Sequence, residues 1–325
     1  MIRTSICDLL GIKYPIALGG LGGGFTQPAM VAGVSEAGGF GALGCHGMSA
    51  AEVTAASIAI REITDKPFAL NFLLFLLDEK AFTAALSQKP AAIALAWPRG
   101  DQDIKFYIDR AHDAGCKVTL MAGSVKEAVR GVEGGADVII AQGSEGGGHV
   151  GWMSSIVLTP MVVDAVSPIP VLAAGGFADG RGLAAAIALG ADGILLGTRF
   201  LASEESKMHP NFKKSILESD GHDTVLTEIP DLAAGTVWPG AMSRSQRNAF
   251  IENWMGREWE IRQYQKEVEA AIMISRKEGD ADNVPLSFGQ DAGLINEIIS
   301  VKDIVSQIIE EAENIMGKKI PALME

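Results

Sequence analysis

The stretch AQGSEGGGHVG, residues 141–151, places five glycines and one histidine in eleven positions. A surface turn needs one or two glycines. This run instead suits main chain passing close to something large and flat, with His149 aimed at it. An imidazole there can act as general acid or base, because its ordinary pKa of about 6.5 lies near neutrality. A hydrogen-bonded structural histidine is the alternative reading.

Glycine also follows other apolar runs, in GGLGGG (19–24), GCHGM (44–48), AAGGFADG (173–180) and GTRF (197–200). Such positions let a ligand approach the backbone closely. Gly175-Gly176 leads into a helix start at Asp179, and Gly197-Thr198 ends the next apolar run. Backbone N–H groups beside a helix N-terminus suit a phosphate. Tight turns alone are the alternative. His46 follows a strand end and is a second candidate to line the site. His112 falls in a polar helical stretch, His209 precedes Pro210, and His222 sits in a turn. No histidine pair has metal-ligand spacing, so no catalytic metal is expected. Ser144 in GSEGG departs from the G-x-S-x-G elbow. Gly39-x-Gly41-x-x-Gly44 lies inside a strand candidate, and Gly146-x-Gly148-x-x-Gly151 lacks a later acidic strand end. Neither supports a dinucleotide site.

The elements that position these residues alternate. Apolar runs at 15–20, 39–44, 68–74, 91–97, 117–123, 137–143, 170–176 and 193–198 read as strands buried on both faces. Helical patterns separate them, among them 27–38, 49–64, 124–135 and 180–190. This order predicts an α/β fold, a (β/α)₈ TIM barrel, with its site at the C-terminal strand ends. A doubly wound open sheet is the other arrangement compatible with the pattern. After Phe200 the rhythm stops. Residues 203–286 read as a helical insertion or lid without a strand, with Trp238, Trp254 and Trp259 adding bulk. Residues 1–202 and 287–325 then form the barrel, closed by an amphipathic helix at 301–316.

Composition narrows the function classes. Among 325 residues, 48% are hydrophobic and 6% aromatic, which favours close helix-on-sheet packing. A formal charge of −13 without a basic cluster argues against nucleic acid or an anionic membrane as partner. Cys7, Cys45 and Cys116 lack metal or disulfide spacing and fit a reducing compartment. The first residues lack a signal-type apolar core, and the run Phe68–Leu77, broken by Asn71, is about half a membrane span. A cytoplasmic protein is expected.

AQGSEGGGHVG (141–151) and VLAAGGFADGRGLAAAIALGADGILLGTRFLASEES (171–206) closely resemble the nitronate monooxygenase family of FMN-bound barrels. That superfamily also holds a flavin-type enoyl-ACP reductase and NADH:quinone reductases. KPFALNF (66–72) and FGQDAGLI (288–295) extend the resemblance along nearly the whole chain. It implies that Gly20, Leu21, Gly22 and Asn71 lie along the flavin ring. Gln142, Gly147 and Gly148 would contact the ring and ribityl chain. Gly175, Gly176, Leu196, Gly197 and Thr198 would surround the phosphate. His149 matches the family's catalytic histidine. Two departures stand out. The first strand ends in Gly-Gly-Leu where monooxygenases often have Ala-Pro-Met, and Met121 stands where some members carry a cation.

The function these features imply is FMN-dependent oxidation of alkyl nitronates by O2 to a carbonyl compound and nitrite. The alternatives are an NAD(P)H-dependent reductase of quinones or enoyl thioesters, and a flavin-free isomerase or aldolase of a phosphorylated metabolite. The expected partners are a small-molecule substrate (a nitronate or another flavin electron donor or acceptor) and O2. A homodimer is compatible with the chain.

Overall fold

Each of the eight apolar runs contains a strand. In the computed structural model, which describes residues 2–323, the strands are β1 (Ile16–Leu18), β2 (Gly41–Gly44), β3 (Phe68–Leu73), β4 (Ala92–Ala96), β5 (Lys117–Ala122), β6 (Val138–Gln142), β7 (Gly148–Val150), β8 (Val171–Ala174), β9 (Gly193–Leu196), β10 (Thr224–Thr227) and β11 (Met242–Gln246). Eight of them hydrogen-bond in parallel in the order β1-β9-β8-β6-β5-β4-β3-β2. A bridge from Ala17 to Phe40, just ahead of β2, brings the two ends together. There the Leu18 N–H donates to the Phe40 carbonyl and the Phe40 N–H to that of Ile16, both at 2.9 Å. The fold is a (β/α)₈ TIM barrel.

Side chains alternate across these strands, as period-two geometry demands. Ile139 and Ala141 of β6 pack outward against the helices, while Val138 and Ile140 point into the barrel. The inward set is small: Ala17, Ala42, Ala69, Ala94 and Ala174 all belong to it. At the N-terminal end the helix Ser5–Leu10 plugs the barrel with Ile6, Cys7 and Leu10. The abundance of alanine thus has a consequence at the other end. The barrel interior is not filled to its top, and a cavity can sink into it.

The outer helices begin where capping chemistry places them. Ser49 and Glu52 form a reciprocal capping box for Ala50–Ile63. Asp179 accepts from the N–H groups of Arg181 and Gly182, starting Gly180–Ala188 at the expected residue. The last helix, Val301–Asn314, packs on Gly180–Ala188 and completes the ring.

Residues 203–286 are mainly helical, but the expectation that they contain no strand fails. The strands β10 and β11 pair antiparallel, and β11 pairs with β7, so Ser243 lies opposite His149. These strands are short and polar: β11 reads MSRSQ. Cross-strand hydrogen bonds rather than an apolar face define them, and hydrophobic periodicity carries no trace of that. The segment has its own apolar cluster, including Phe212, Ile229, Ile251, Ile261 and Ile272, which reaches Leu201 and Phe288 of the barrel.

Candidate active site

The C-terminal strand ends surround a cavity of about 530 Å³. Its floor is the alanine-lined barrel interior, with Ala17, Ala42, Ala69, Ala94 and Ala174 at its walls. Of the residues expected in the site, Gly20, Leu21, Gly22 and Asn71 line it from one side. Gln142, Gly147, Gly148 and His149 line it from the loop after β6, and Gly175, Gly176, Gly197 and Thr198 from the ends of β8 and β9. Leu196 is the exception. Its side chain is buried in the core outside the barrel, and its carbonyl accepts from the Gly19 N–H at 2.9 Å.

The glycines turn out to serve different ends. A Cβ on Gly147 would stand 2.4–2.6 Å from the backbone of Phe288 and Gly289. Gly147 therefore lets residues 288–289 cross the loop, a steric requirement separate from any contact its backbone makes across the cavity. Gly148 differs: it has φ +70°, and a Cβ there would meet nothing within 4 Å. Gly20 is needed because Asn71 fills the place of its Cβ. Gly175 and Gly176 hold φ of +93° and +81°, the left-handed region where glycine is unstrained.

His149 stands on β7 at the cavity rim, part buried. Its Nε2 lies 2.7 Å from Oδ1 of Asp231, a buried residue of the short helix Ile229–Ala233. A carboxylate accepts only, so Nε2 carries the proton and Nδ1 is the lone-pair nitrogen of the neutral ring. The indole of Trp238 stacks on the imidazole, with centroids 3.3 Å apart and planes 9° apart. Asp231 carries no signal in the sequence, and Trp238 stands out there only as bulk in the insertion. Both come from the insertion, more than 80 residues from the histidine, as the separation of 82 for the Asp231 pair shows. No local signal connects them.

Three further groups matter. The buried Oε1 of Gln142 has no hydrogen-bond partner among the described residues. Asp291 also faces the cavity beside Thr198, and burial pushes its carboxyl up to about 7. The guanidinium of Arg244 ties the insertion sheet to the glycine loop, donating to the Ser144 carbonyl at 2.8 Å and to Thr224 Oγ1 at 3.0 Å.

The other histidines separate cleanly. His46 lines the cavity, and burial lowers its pKa. His209 caps the helix Pro210–Glu218 with its Nδ1. His112, in its polar helical stretch, is exposed to solvent and bonds Asp137 at 2.8 Å. Among the described residues no group of three or more His, Cys, Asp or Glu is placed to hold a metal ion. No described helix is long and apolar enough to cross a membrane.

The C-terminal end of the barrel thus joins glycine-bearing strand ends, an orphaned amide acceptor and a carboxylate-held imidazole around one cavity. The profile of the nitronate monooxygenase family matches residues 3–97 and 85–311, and the chain belongs to that family. A probable nitronate monooxygenase of Staphylococcus saprophyticus is 31% identical, covering 98% of this chain and 99% of the relative. A (3aS,4S,5R,7aS)-5-hydroxy-7a-methyl-1-oxo-octahydro-1H-indene-4-carboxyl-CoA dehydrogenase of Rhodococcus jostii is 32% identical over 96% of both chains. Among solved structures, FabK from Thermotoga maritima superposes with a TM-score of 0.87 at 34% identity, covering 99% of this chain and 100% of its own.

Proposed function

We propose that this chain is an FMN-dependent enzyme that oxidises alkyl nitronates with O2 to a carbonyl compound and nitrite. The observation that carries the reading is the His149–Asp231 pair at the rim of a glycine- and alanine-walled cavity. The walls fit a flavin. Gln142 Oε1 offers an unused acceptor to a ring N–H, and Gly148 leaves open space where a side chain would stand. Gly20, Leu21, Gly22 and Asn71 would lie along the ring. Gly175, Gly176, Gly197 and Thr198 would hold the phosphate. Bound FMN supplies the two-electron acceptor that no side chain here can provide.

The protein's own part is proton handling and orientation. With a neutral nitroalkane, His149 Nδ1 takes the α-proton, and the C–H electron pair moves onto the nitro group. Asp231 then stabilises the imidazolium and fixes the ring's tautomer. With a preformed nitronate the proton is already gone, and the same imidazole holds the anionic nitro oxygens.

A second reading, an NAD(P)H-dependent reductase of a quinone or enoyl thioester, has one structural observation in its favour. On the helix Gln265–Glu278, Val268 and Ile272 face the insertion core, and Arg276 continues that face one turn on. Arg276 lines the cavity, and no hydrogen bond or ion pair joins its side chain to another described residue. A free guanidinium there suits a phosphate-bearing substrate. The Rhodococcus relative, named for a CoA thioester, points the same way. Anaerobic mixing decides between the two. Ethyl nitronate should bleach the yellow enzyme within its turnover time while NAD(P)H leaves it oxidised. Fast bleaching by NAD(P)H alone would overturn the nitronate reading. Heat-released cofactor should chromatograph as FMN, not FAD.

A further inference from the structure

We propose that Trp238 is the specificity-determining residue of the site, restricting it to short, unbranched nitronates; the inference rests on the nitronate reading above. Asp231 occupies the Nε2 edge of His149, and the Trp238 indole covers one ring face. On that face the indole bounds the space open to a substrate at Nδ1.

The indole also engages two aromatic residues besides the imidazole. Its ring centroid lies 4.8 Å from Phe75 and 5.9 Å from Trp97. Those two belong to the barrel. Phe75 follows β3, Trp97 follows β4, and the Phe75 N–H donates to the Trp97 carbonyl at 3.2 Å. Trp97 holds φ +53°, a conformation a bulky residue adopts only where its surroundings impose it. The back wall is thus fixed by the barrel, and Trp238 bridges it to His149.

Trp238 itself sits on the loop between the helix Ile229–Ala233 and β11. Gly235 at φ +65° and Gly240 at φ +74° bracket it. Its neighbour Val237 is 87% exposed, so the loop faces solvent at that residue. A bulky substrate would have to part the indole from both aromatic neighbours and from the imidazole. A small one need not.

The test uses the flavin-loaded enzyme and a matched pair of substrates, ethyl nitronate and the nitronate of nitrocyclohexane. The wild type should prefer the small one by about tenfold or more in kcat/KM, the scale on which a shape-limited pocket discriminates. Trp238→Ala should raise the bulky substrate's kcat/KM by about the same factor. Trp238→Phe, which keeps an aromatic lid, should stay close to wild type. Acetate and cyclohexanecarboxylate serve as non-reacting carboxylates of the same two shapes, with Kd read from the flavin spectrum. They separate the two ideas. If neither nitronate is turned over but the carboxylates show the size preference and its loss in Trp238→Ala, the nitronate reading fails and the role of Trp238 stands. Equal binding of both carboxylates by the wild type, or a preference unchanged in a folded, yellow Trp238→Ala protein, overturns the inference.

Discussion

The imidazole of His149 is held by groups that share no sequence neighbourhood with it. That arrangement makes a sharp prediction about proton transfer. His149→Ala should keep its flavin and lose about 10²–10⁴-fold in turnover of neutral nitroethane, the usual worth of a positioned general base. Ethyl nitronate should lose less, because its α-proton has already left. Asp231→Asn preserves a hydrogen-bond acceptor but removes the charge, and its rate with nitroethane should fall between wild type and His149→Ala. Near-normal steady-state rates of His149→Ala with both substrates would remove the residue from the mechanism. At this scale the sequence was legible for His149 and for most of the glycines, because a glycine run after a strand end leaves few physical reasons to exist. It was silent on Asp231 and showed Trp238 only as bulk, because their places beside His149 arise from folding the insertion over the barrel. For Gly147 it could not show one steric cause, because the residues that crowd it, Phe288 and Gly289, lie about 140 positions downstream.

Elements show the same division between local and distant causes. The eight barrel strands were visible because burial on both faces writes a continuous apolar run. The strands β7, β10 and β11 were not, since a polar three-stranded sheet is specified by pairing alone. The turn Gln290–Leu294 adds a titrating device to this layer. Its Asp291 is 5% exposed, and burial raises its carboxyl from the ordinary value of 3.8 to about 7, against a smaller opposing effect of the Thr198 hydroxyl. The unfolded chain therefore loses this proton at lower pH than the folded one. Folding holds an extra proton between those values, so this group makes stability fall as pH rises from about 4 to about 7, and then level off. Asp291→Asn removes the charge that burial penalises. It should flatten that part of the stability profile and gain on the order of 1–3 kcal/mol at pH 8. Urea unfolding at pH 5 and pH 8 measures this. A wild type with equal contribution at both pH values, seen as the same Asp291→Asn increment, would show the carboxyl to be solvated.

For the molecule as a whole, closure is the property that sequence could not display. Strict β/α alternation fits an open doubly wound sheet as well as a barrel, and the sequential strand order with the β1–Phe40 bridge distinguishes them. Closure on the outer surface depends on the last helix. Val301, Ile304, Val305, Ile308 and Ile309 are all buried, alongside Ala312. At about 1.5–3 kcal/mol for each large aliphatic, their burial is comparable with the whole net stability of a domain, about 5–15 kcal/mol. The contact is close enough that one residue tests it. A Cβ on Gly180 would lie 2.5 Å from the Ala312 nitrogen and 2.6 Å from the Ile308 carbonyl oxygen. The Gly180 N–H also donates to Glu311 at 2.9 Å. Gly180→Ala must therefore push the helix off the ring, since backbone cannot yield as a side-chain tip does. It should cost about 1–3 kcal/mol, read as a lowered Tm. Gly317→Ala, where a Cβ meets nothing within 4 Å, should leave Tm unchanged. Flavin content in the folded Gly180→Ala protein should match wild type, because Gly180 lies outside the cavity lining. If Gly180→Ala melts with the wild type, the C-terminal helix is not pinned to the barrel at that point. Its burial would then have to be accommodated by sliding along the groove between Gly180–Ala188 and the helix Pro28–Glu36, where Val301 already packs within 2.8 Å of the Cβ position of Gly33.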